Sequence, residues 1–301
     1  MKPIEKISVC GLGKRGACIA ATYAARGFEV LGVDIDPEKV RKLNAGLPPV
    51  EEPRLAETIT AGRSRLRATT DHREAVATDA SFFIPPSPSL PDGSFSNEFL
   101  LRAMQPVAAA VRAQGKRGHI FVCSSTTTPG AMDQVLIPML ERELGGVCGR
   151  DFGVCYNPEF IALGSVVRDM LHPDFILIGE SDRRAGDILA KIYGSSCAKA
   201  PLVRRMNWIN AEITKISVNT YVTTKISYAN MLADLCDRLP GADAAVVSEA
   251  VGSDSRIGRK YLTGATGYGG PCFPRDNIAF SALAESVGAH ADLAGATHGS
   301  N

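Results

Sequence analysis

The sequence lacks an excess of charge of either sign. Lys and Arg total 33 of its 301 residues and Asp and Glu total 32, which gives a formal charge of +1. Nucleic-acid platforms and membrane-surface binders need a basic excess, so this balance argues against both classes. Short basic clusters such as residues 63–67 (RSRLR) are interpreted as solvated faces. The composition, 45% hydrophobic and 22% charged, indicates a globular protein long enough for two domains.

Long apolar runs and targeting signals are also missing. No run approaches the ~20 residues that a membrane-spanning helix needs. The first residues, MKPIEKISVCGLG, lead straight into a strand pattern without the apolar core of a signal peptide. We therefore expect neither a membrane partner nor a targeting segment.

The eight cysteines form no Cys-x-x-Cys pair, and no histidine lies beside them at metal-ligand spacing. We accordingly expect no metal site. The scattered positions are typical of reduced thiols in a cytoplasmic protein, most of them small buried apolar residues. Internal repeats and low-complexity tracts are absent as well.

Up to about residue 200, short apolar runs alternate with helical stretches. The runs, which predict buried strands, are residues 6–11, 28–34, 81–85, 119–125, 152–156 and 175–179. Helix-like segments such as 16–27 and 97–115 lie between them. This alternation predicts an α/β fold, a Rossmann-like, doubly wound parallel sheet with helices on both faces.

Beyond residue 203 the pattern becomes helical. Residues 207–239 form one long helical pattern without Pro or Gly, and further helices are predicted at about 242–251 and 275–287. We therefore predict a dinucleotide-binding domain over residues 1–202 and an all-helical domain over residues 203–301.

A Gly-x-Gly-x-x-Gly pattern follows the first predicted strand and opens a helix. Its glycines are Gly11, Gly13 and Gly16. They permit a tight turn and let backbone N–H groups approach a pyrophosphate at the helix N-terminus. Asp34 ends the second strand at the spacing expected for an acid that binds the ribose hydroxyls of NAD. Lys14 and Arg15 lie inside the turn, so tolerance of NADP stays open.

Residues 263–277 (TGATGYGGPCFPRDN) place one cysteine in a glycine-rich backbone. Pro274 fits the first turn of a helix, which puts Cys272 at or just before the helix N-terminus. The positive end of the helix dipole and the nearby Arg275 favour a thiolate there. The alternative is a tight loop around an inert buried cysteine.

A reactive thiol beside an NAD site suggests oxidation of an alcohol to an acid through a thiohemiacetal and a thioester. Such chemistry needs a group that stabilises the oxyanion and a carboxylate that manages water. Lys215 and Asn219 lie four residues apart on one face of the long helix. Glu159 follows a strand in the segment YNPEF. Asp276 is a further candidate, although it also suits an ordinary first-turn acid.

Taken together, these stretches resemble the UDP-glucose/GDP-mannose dehydrogenase family. The matching motifs are GLGKRG, VDIDPEK, EEP, PPSP…DG, SSTTTPG, YNPEF, AEITKISVNTY, SRIGRKYL and GYGGPCFPRD, in the family's order from residue 5 to the end of the chain. The resemblance implies a nucleotide-sugar 6-dehydrogenase that uses NAD, acts on a UDP- or GDP-hexose and forms a homodimer through its helical domain.

The resemblance also implies a role for each site residue. The catalytic positions are Cys272 as nucleophile, Lys215 and Asn219 at the oxyanion, Asp276 and Thr126 at the site water, and Glu159 as general base. The cofactor positions are Gly11, Gly13, Gly16, Asp34, Lys39, Ser87, Thr126 and Arg275. The substrate positions are Glu159, Phe160, Lys215, Asn219, Arg256, Tyr268 and Gly269, with Arg256 reaching a sugar nucleotide in the neighbouring subunit.

The chain departs from the family pattern in three places. Leu163 occupies a position that is often acidic, and Ser87 replaces a threonine. Family members usually continue into a further α/β domain that binds the nucleotide of the substrate, whereas this sequence ends at ATHGSN. Two alternatives therefore stay open. One is a non-catalytic module that binds NAD and dimerises. The other is a β-hydroxyacid type of NAD dehydrogenase, although simple hydride transfer needs no catalytic thiol.

Overall fold

The computed structural model describes residues 4–301, and within them one sheet of eight strands carries the fold. The strand order is β3-β2-β1-β4-β5-β6-β7-β8. The strands are β1 (Lys6–Cys10), β2 (Glu29–Val33), β3 (Leu66–Thr69), β4 (Ala80–Phe83), β5 (Ile120–Cys123), β6 (Gly153–Tyr156), β7 (Ile176–Glu180) and β8 (Val203–Met206). All six predicted strands are present, and the predicted Rossmann-like α/β class is confirmed.

The sheet differs from the predicted one in direction at β7. This strand pairs antiparallel with β6, with Tyr156 opposite Gly179, whereas β8 pairs parallel with β7. Every other neighbouring pair is parallel. An apolar run shows that a strand is buried but not which way it runs, so the sequence pattern predicted a uniformly parallel sheet.

Two edge strands were missed. β3 includes part of the basic cluster that was interpreted as a solvated face, and β8 contains the exposed residues Arg204 and Arg205. An edge strand is only partly covered, so its charged side chains hide the apolar pattern by which strands are recognised.

Eleven α-helices are found in the described part of the chain. They are α1 (Lys14–Ala25), α2 (Pro37–Asn44), α3 (Leu55–Gly62), α4 (Glu98–Ala113), α5 (Ile137–Leu144), α6 (Val166–Leu171), α7 (Arg183–Ser196), α8 (Trp208–Asp237), α9 (Ala244–Ser253), α10 (Phe273–Ser286) and α11 (Asp292–Gly299). The long helix α8 and the shorter helices α9 and α10 agree with the sequence prediction, whereas α11 was not predicted.

Helices cover both faces of the sheet because neighbouring strand residues point to opposite sides. On β5, Ile120 and Val122 pack into a core with α1, α3, α6 and α7. Phe121 and Cys123 pack into a second core with α4 and α5. The sheet is therefore doubly wound, and its carboxyl edge is left for the connecting loops.

The chain divides into two compact units. The first contains residues 1–88 and 96–212, and the second contains residues 89–95 and 213–301. The first unit thus continues to Glu212, in the first turns of α8, whereas the sequence analysis placed the boundary after residue 202. The second unit has a small core of Phe95, Ile216 and Ala279. Among the described residues, no helix is long and apolar enough to cross a bilayer.

Candidate active site

The glycine turn after β1 shows why each glycine is needed. Gly11 has a φ of +104°, and a Cβ there would lie 2.9 Å from the carbonyl oxygen of Ile84. A Cβ on Gly16 would lie only 1.7 Å from the carbonyl oxygen of Gly11, so α1 could not pack against the turn. Nothing lies within 4 Å of a Cβ on Gly13. The first and third glycines are therefore required by the fold, and the second leaves an open approach to the backbone.

Asp34 is fixed at the end of β2 beside this turn. It is 6% exposed, and its carboxylate accepts hydrogen bonds from the backbone N–H of Leu12 at 2.6 Å and of Asp36 at 2.9 Å. Lys39, a predicted cofactor residue, donates to the same carboxylate at 3.4 Å. The bond to Leu12 holds the Asp34 carboxylate against the turn that contains Gly13. This is where the ribose of a bound dinucleotide is expected.

Ser87 and Thr126, two predicted cofactor residues, lie in the loops after β4 and β5, and a hydrogen bond joins these loops. Ser87 and Thr126 are both buried. The hydroxyl of Ser125 donates to the carbonyl oxygen of Pro85 at 2.5 Å. Because β4 and β5 are neighbours, Ser87 and Thr126 share one stretch of the carboxyl edge.

The turn after Thr126 is held by a residue that the sequence analysis missed. Glu212, in the first turns of α8, accepts hydrogen bonds from Thr127 Oγ1 at 2.9 Å, Gly130 N at 2.7 Å and Met132 N at 3.0 Å. Burial raises the pKa of Glu212, while the three hydrogen bonds act in the opposite direction. A single Glu within a helical sequence pattern is usually a surface residue. The contact of Glu212 with residues 127–132 therefore becomes visible only in the folded structure.

Glu159 follows β6 and is 9% exposed. The phenol of Tyr193 on α7 donates to Asn157 Oδ1 at 2.5 Å and lies 3.5 Å from Glu159 Oε1. Asn157 in turn donates to the carbonyl oxygen of Leu177 at 2.8 Å. Burial, followed by the nearby charge of Glu159, raises the pKa of Tyr193 well above its usual value, so this phenol stays a donor. Phe160 packs against Phe175, with ring centroids 4.7 Å apart and ring planes inclined at 38°.

In the second unit, Cys272 is the N-cap residue of α10, and Pro274 lies in the first turn of that helix. This is the predicted arrangement. Cys272 is partly exposed, and Asp276 N donates to its carbonyl oxygen at 2.9 Å. Cys272 therefore lies at the N-terminal end of a helix, where the helix dipole is positive.

Other predicted residues gather around this helix start. Asn219 on α8 donates to Asp276 Oδ2 at 2.6 Å, and Asp276 is only 1% exposed. Arg275 lies 3.4 Å from the other oxygen of Asp276 and 4.7 Å above the ring of Phe95. Lys215, one turn before Asn219 on the same helix, is also buried. The structure thus brings the cysteine helix and the Lys/Asn helix together within one unit.

Tyr268 is buried in the glycine-rich loop, and its phenol accepts a hydrogen bond from Asn277 Nδ2 at 3.1 Å. Gly269 has no atom within 4 Å of a Cβ position, which agrees with the expected room for a ligand. Arg256 is exposed and paired with Asp254 at 2.6 Å. Within its own chain Arg256 therefore contacts none of the other predicted site residues that the structure describes.

The remaining thiols have different surroundings. All eight cysteines lie within the described residues, and none of them forms a disulfide. Burial raises the pKa of six of them, to about 12 for Cys18 and Cys148; the others in this group are Cys10, Cys123, Cys155 and Cys197. Cys236 is buried on α8. Among the eight thiols, all within the described residues, only Cys272 is both partly exposed and the N-cap residue of a helix.

The chain joins a Rossmann-like unit, which contains the dinucleotide turn and the candidates Glu159 and Thr126, to a helical unit that contains Cys272, Lys215, Asn219 and Asp276. The first unit defines the class of dinucleotide-binding proteins. Residues 5–196 match the NAD binding domain of the UDP-glucose/GDP-mannose dehydrogenase family, and residues 209–301 match its central domain. The chain belongs to this family.

Individual relatives agree with this assignment. The chain is 39% identical to the UDP-glucose 6-dehydrogenase AglM of Haloferax volcanii over 94% of its length, and 36% identical to the GDP-mannose 6-dehydrogenase of Azotobacter vinelandii over 92%. A UDP-glucose dehydrogenase structure from Pyrobaculum islandicum superposes with a TM-score of 0.91 and 38% identity, over 99% of this chain and 68% of that one. The chain spans 66% and 63% of the length of the two curated relatives.

Proposed function

We propose that the chain is the cofactor and catalytic portion of an NAD-dependent nucleotide-sugar 6-dehydrogenase. The substrate would be a UDP- or GDP-hexose, whose C6 alcohol becomes the carboxylate of a uronic acid. The observation that carries this proposal is the position of Cys272 at the start of α10, one turn before the buried Asp276 that Asn219 binds. A family of dehydrogenases that only transfer one hydride has no use for such a thiol.

The residues of the first unit fit NAD. Gly13 leaves its backbone open to a pyrophosphate, and the carboxylate of Asp34 is held where it meets ribose hydroxyls and repels a 2′-phosphate. Lys39, Ser87 and Thr126 of this unit, together with Arg275 of the second unit, are the further cofactor positions in this proposal. Bound NAD supplies the hydride acceptor for each of the two oxidations.

The thiolate of Cys272 would act between those oxidations. Its sulfur adds to the aldehyde carbon, which forms a C–S bond and a thiohemiacetal, and loss of a hydride converts this adduct to a thioester. Lys215 and Asn219 stabilise the charge on the former aldehyde oxygen. Water then attacks the thioester, Glu159 takes a proton from that water with Thr126 and Asp276 holding it, and the C–S bond breaks to release the acid. One alcohol, two NAD⁺ and one water give one carboxylate, two NADH and three protons.

The experiment is a stoichiometry measurement. The purified chain is mixed with NAD and a panel of UDP- and GDP-sugars, and NADH is counted against sugar consumed. We expect about two NADH per sugar, because four electrons leave the alcohol carbon. One NADH per substrate would instead point to a β-hydroxyacid type of dehydrogenase. No turnover despite NAD binding would identify a non-catalytic module.

A matched pair of variants tests the thioester step. Cys272→Ser removes the nucleophile, so release of uronic acid should stop. Cys148 is a partly exposed thiol outside the glycine-rich segment 263–277, so Cys148→Ser should release acid at the rate of the parent chain. Acid production by Cys272→Ser at the parent rate would exclude the mechanism.

We also propose that the chain forms a homodimer through the helical unit. Tyr221, Tyr228, Met231 and Leu235 are exposed on α8 at helical spacing, and together they form an apolar stripe. Met231→Lys should shift the sedimentation coefficient toward a monomer, whereas Asp237→Asn on the same helix should not. A monomeric parent chain would contradict the dimer. The lack of a disulfide among the eight cysteines, all of which the structure describes, supports a cytoplasmic location as part of this proposal.

A further inference from the structure

Glu212 is a buried carboxylate that is not among the catalytic or cofactor positions of the proposed function. It is 0% exposed, and each of its hydrogen bonds goes to the segment that directly follows Thr126. Thr127, itself fully buried, provides the hydroxyl donor, and Gly130 and Met132 provide backbone N–H groups. An ionised carboxylate is an acceptor only, so it matches three donors without conflict.

The position of this segment follows from the strand order. Asp34 ends β2, the glycine turn follows β1, Ser87 follows β4 and Thr126 follows β5, and these strands are consecutive neighbours in the sheet. Three spacings of about 4.8 Å separate β2 from β5, which is about 14 Å, close to the span of an extended dinucleotide. With the adenosine ribose at Asp34, the nicotinamide end therefore lies toward β5.

We propose that Glu212 is a positioning residue for the nicotinamide end of NAD. It holds residues 127–132 in one conformation, and thereby keeps Thr126 turned toward the cofactor. This inference rests on the proposed cofactor role of Thr126. Glu212 itself does not touch the cofactor in this scheme; it acts through the hydrogen bonds to Thr127, Gly130 and Met132.

The test compares two ligands that differ only at the nicotinamide. NAD and ADP-ribose share the adenosine and pyrophosphate, which bind at Asp34 and the glycine turn, but ADP-ribose lacks the nicotinamide ring. Glu212→Gln replaces one carboxylate oxygen with an NH₂ group, which cannot accept a hydrogen bond from a backbone N–H. One of the three hydrogen bonds is therefore lost, and residues 127–132 are held less firmly. We expect the Kd of NAD, measured by calorimetry, to rise roughly three- to tenfold, and the Kd of ADP-ribose to change less than about twofold.

Thr127 offers a milder pair of variants if Glu212→Gln does not fold. Thr127→Val removes the hydroxyl donor at nearly constant volume, and Thr127→Ser keeps it. The first should weaken NAD but not ADP-ribose, and the second should restore the parent affinity. Ser81→Ala is the control for lost stability, because it removes the buried hydrogen bonds that Ser81 on β4 makes with Ser8 on β1 and with His119. It should leave both affinities unchanged.

A double-mutant cycle decides whether Glu212 acts through Thr126. If it does, the losses of NAD affinity in Thr126→Val and Glu212→Gln are not additive. Additive losses, an equal loss for NAD and ADP-ribose, or an unchanged NAD affinity would each overturn the inference. These measurements need neither sugar nor turnover, so a failure of the proposed reaction is seen separately in the NADH stoichiometry.

Discussion

Cys272 differs from the other thiols by its surroundings rather than by its chemistry. Six cysteines have a pKa raised by burial, which keeps them protonated and unreactive. Cys272 combines partial exposure with a helix N-terminus, and this combination is visible in the sequence through the glycines and Pro274. The position of Cys272 at the start of a helix was therefore predicted from its neighbours along the chain.

This contrast predicts selective alkylation. At neutral pH and limiting iodoacetamide, peptide mass spectrometry should find the Cys272 peptide modified first, because this thiol is partly exposed at the N-terminus of a helix. Cys148 is the internal comparison: it is also partly exposed, but its pKa is raised to about 12. Faster labelling at Cys148 than at Cys272 would contradict the proposed reactivity.

Residues that act through long-range contacts were not found from the sequence. Glu212 lies 80 or more residues along the chain from the groups it binds, and Tyr193 is 36 residues from Asn157. Their residue types are common on helices, so nothing local marks them. What they do depends on which loop the fold brings to them.

At the scale of elements, the glycines of the turn between β1 and α1 serve two purposes: one is required for packing and another leaves room for a ligand. Gly16 is required because a Cβ would collide with the carbonyl of Gly11, whereas Gly13 has a φ of −69° and open space beside it. The same motif therefore contains one glycine for packing and one for a ligand.

A pair of alanine variants tests this division. Gly16→Ala should lower the free energy of unfolding by a few kcal/mol, because the backbone of the turn has to move. Gly13→Ala should unfold at nearly the parent temperature yet bind NAD at least about tenfold more weakly, since its methyl group occupies the approach to the backbone. Thermal melts and calorimetry measure the two effects. Equal melting temperatures for the two variants would refute the packing argument.

At the scale of the whole molecule, a buried polar network ties the sheet together. Ser8 donates to Ser81 at 2.6 Å, Ser81 lies 2.9 Å from His119 Nε2, and Thr78 donates to Ser8 at 3.1 Å. His119 is 1% exposed. Burial, followed by the charge of Lys116, lowers the pKa of His119 to about 3. The folded protein therefore holds this histidine neutral.

This shift makes stability depend on pH. His119 titrates at its ordinary value when unfolded and near 3 when folded, so the unfolded state binds the proton first as pH falls. Stability from this group is complete above pH ~6.5 and is lost as pH falls toward 3; between pH 7 and pH 5 the loss is about 2 kcal/mol. His119→Asn removes the titration, so urea unfolding should show a correspondingly smaller pH dependence for this variant. Parallel stability curves would contradict the shift.

The sequence by itself determined the local features of this protein. Strand and helix positions, the glycine turn with Asp34 and the cysteine at the start of α10 all depend on side-chain pattern, turn chemistry and capping, which act over a few residues. The tertiary structure alone decided the direction of β7, the edge strands β3 and β8, and the contacts that Glu212 and Tyr193 make. These features arise from pairing and packing between distant segments, and no local pattern encodes which segments will meet.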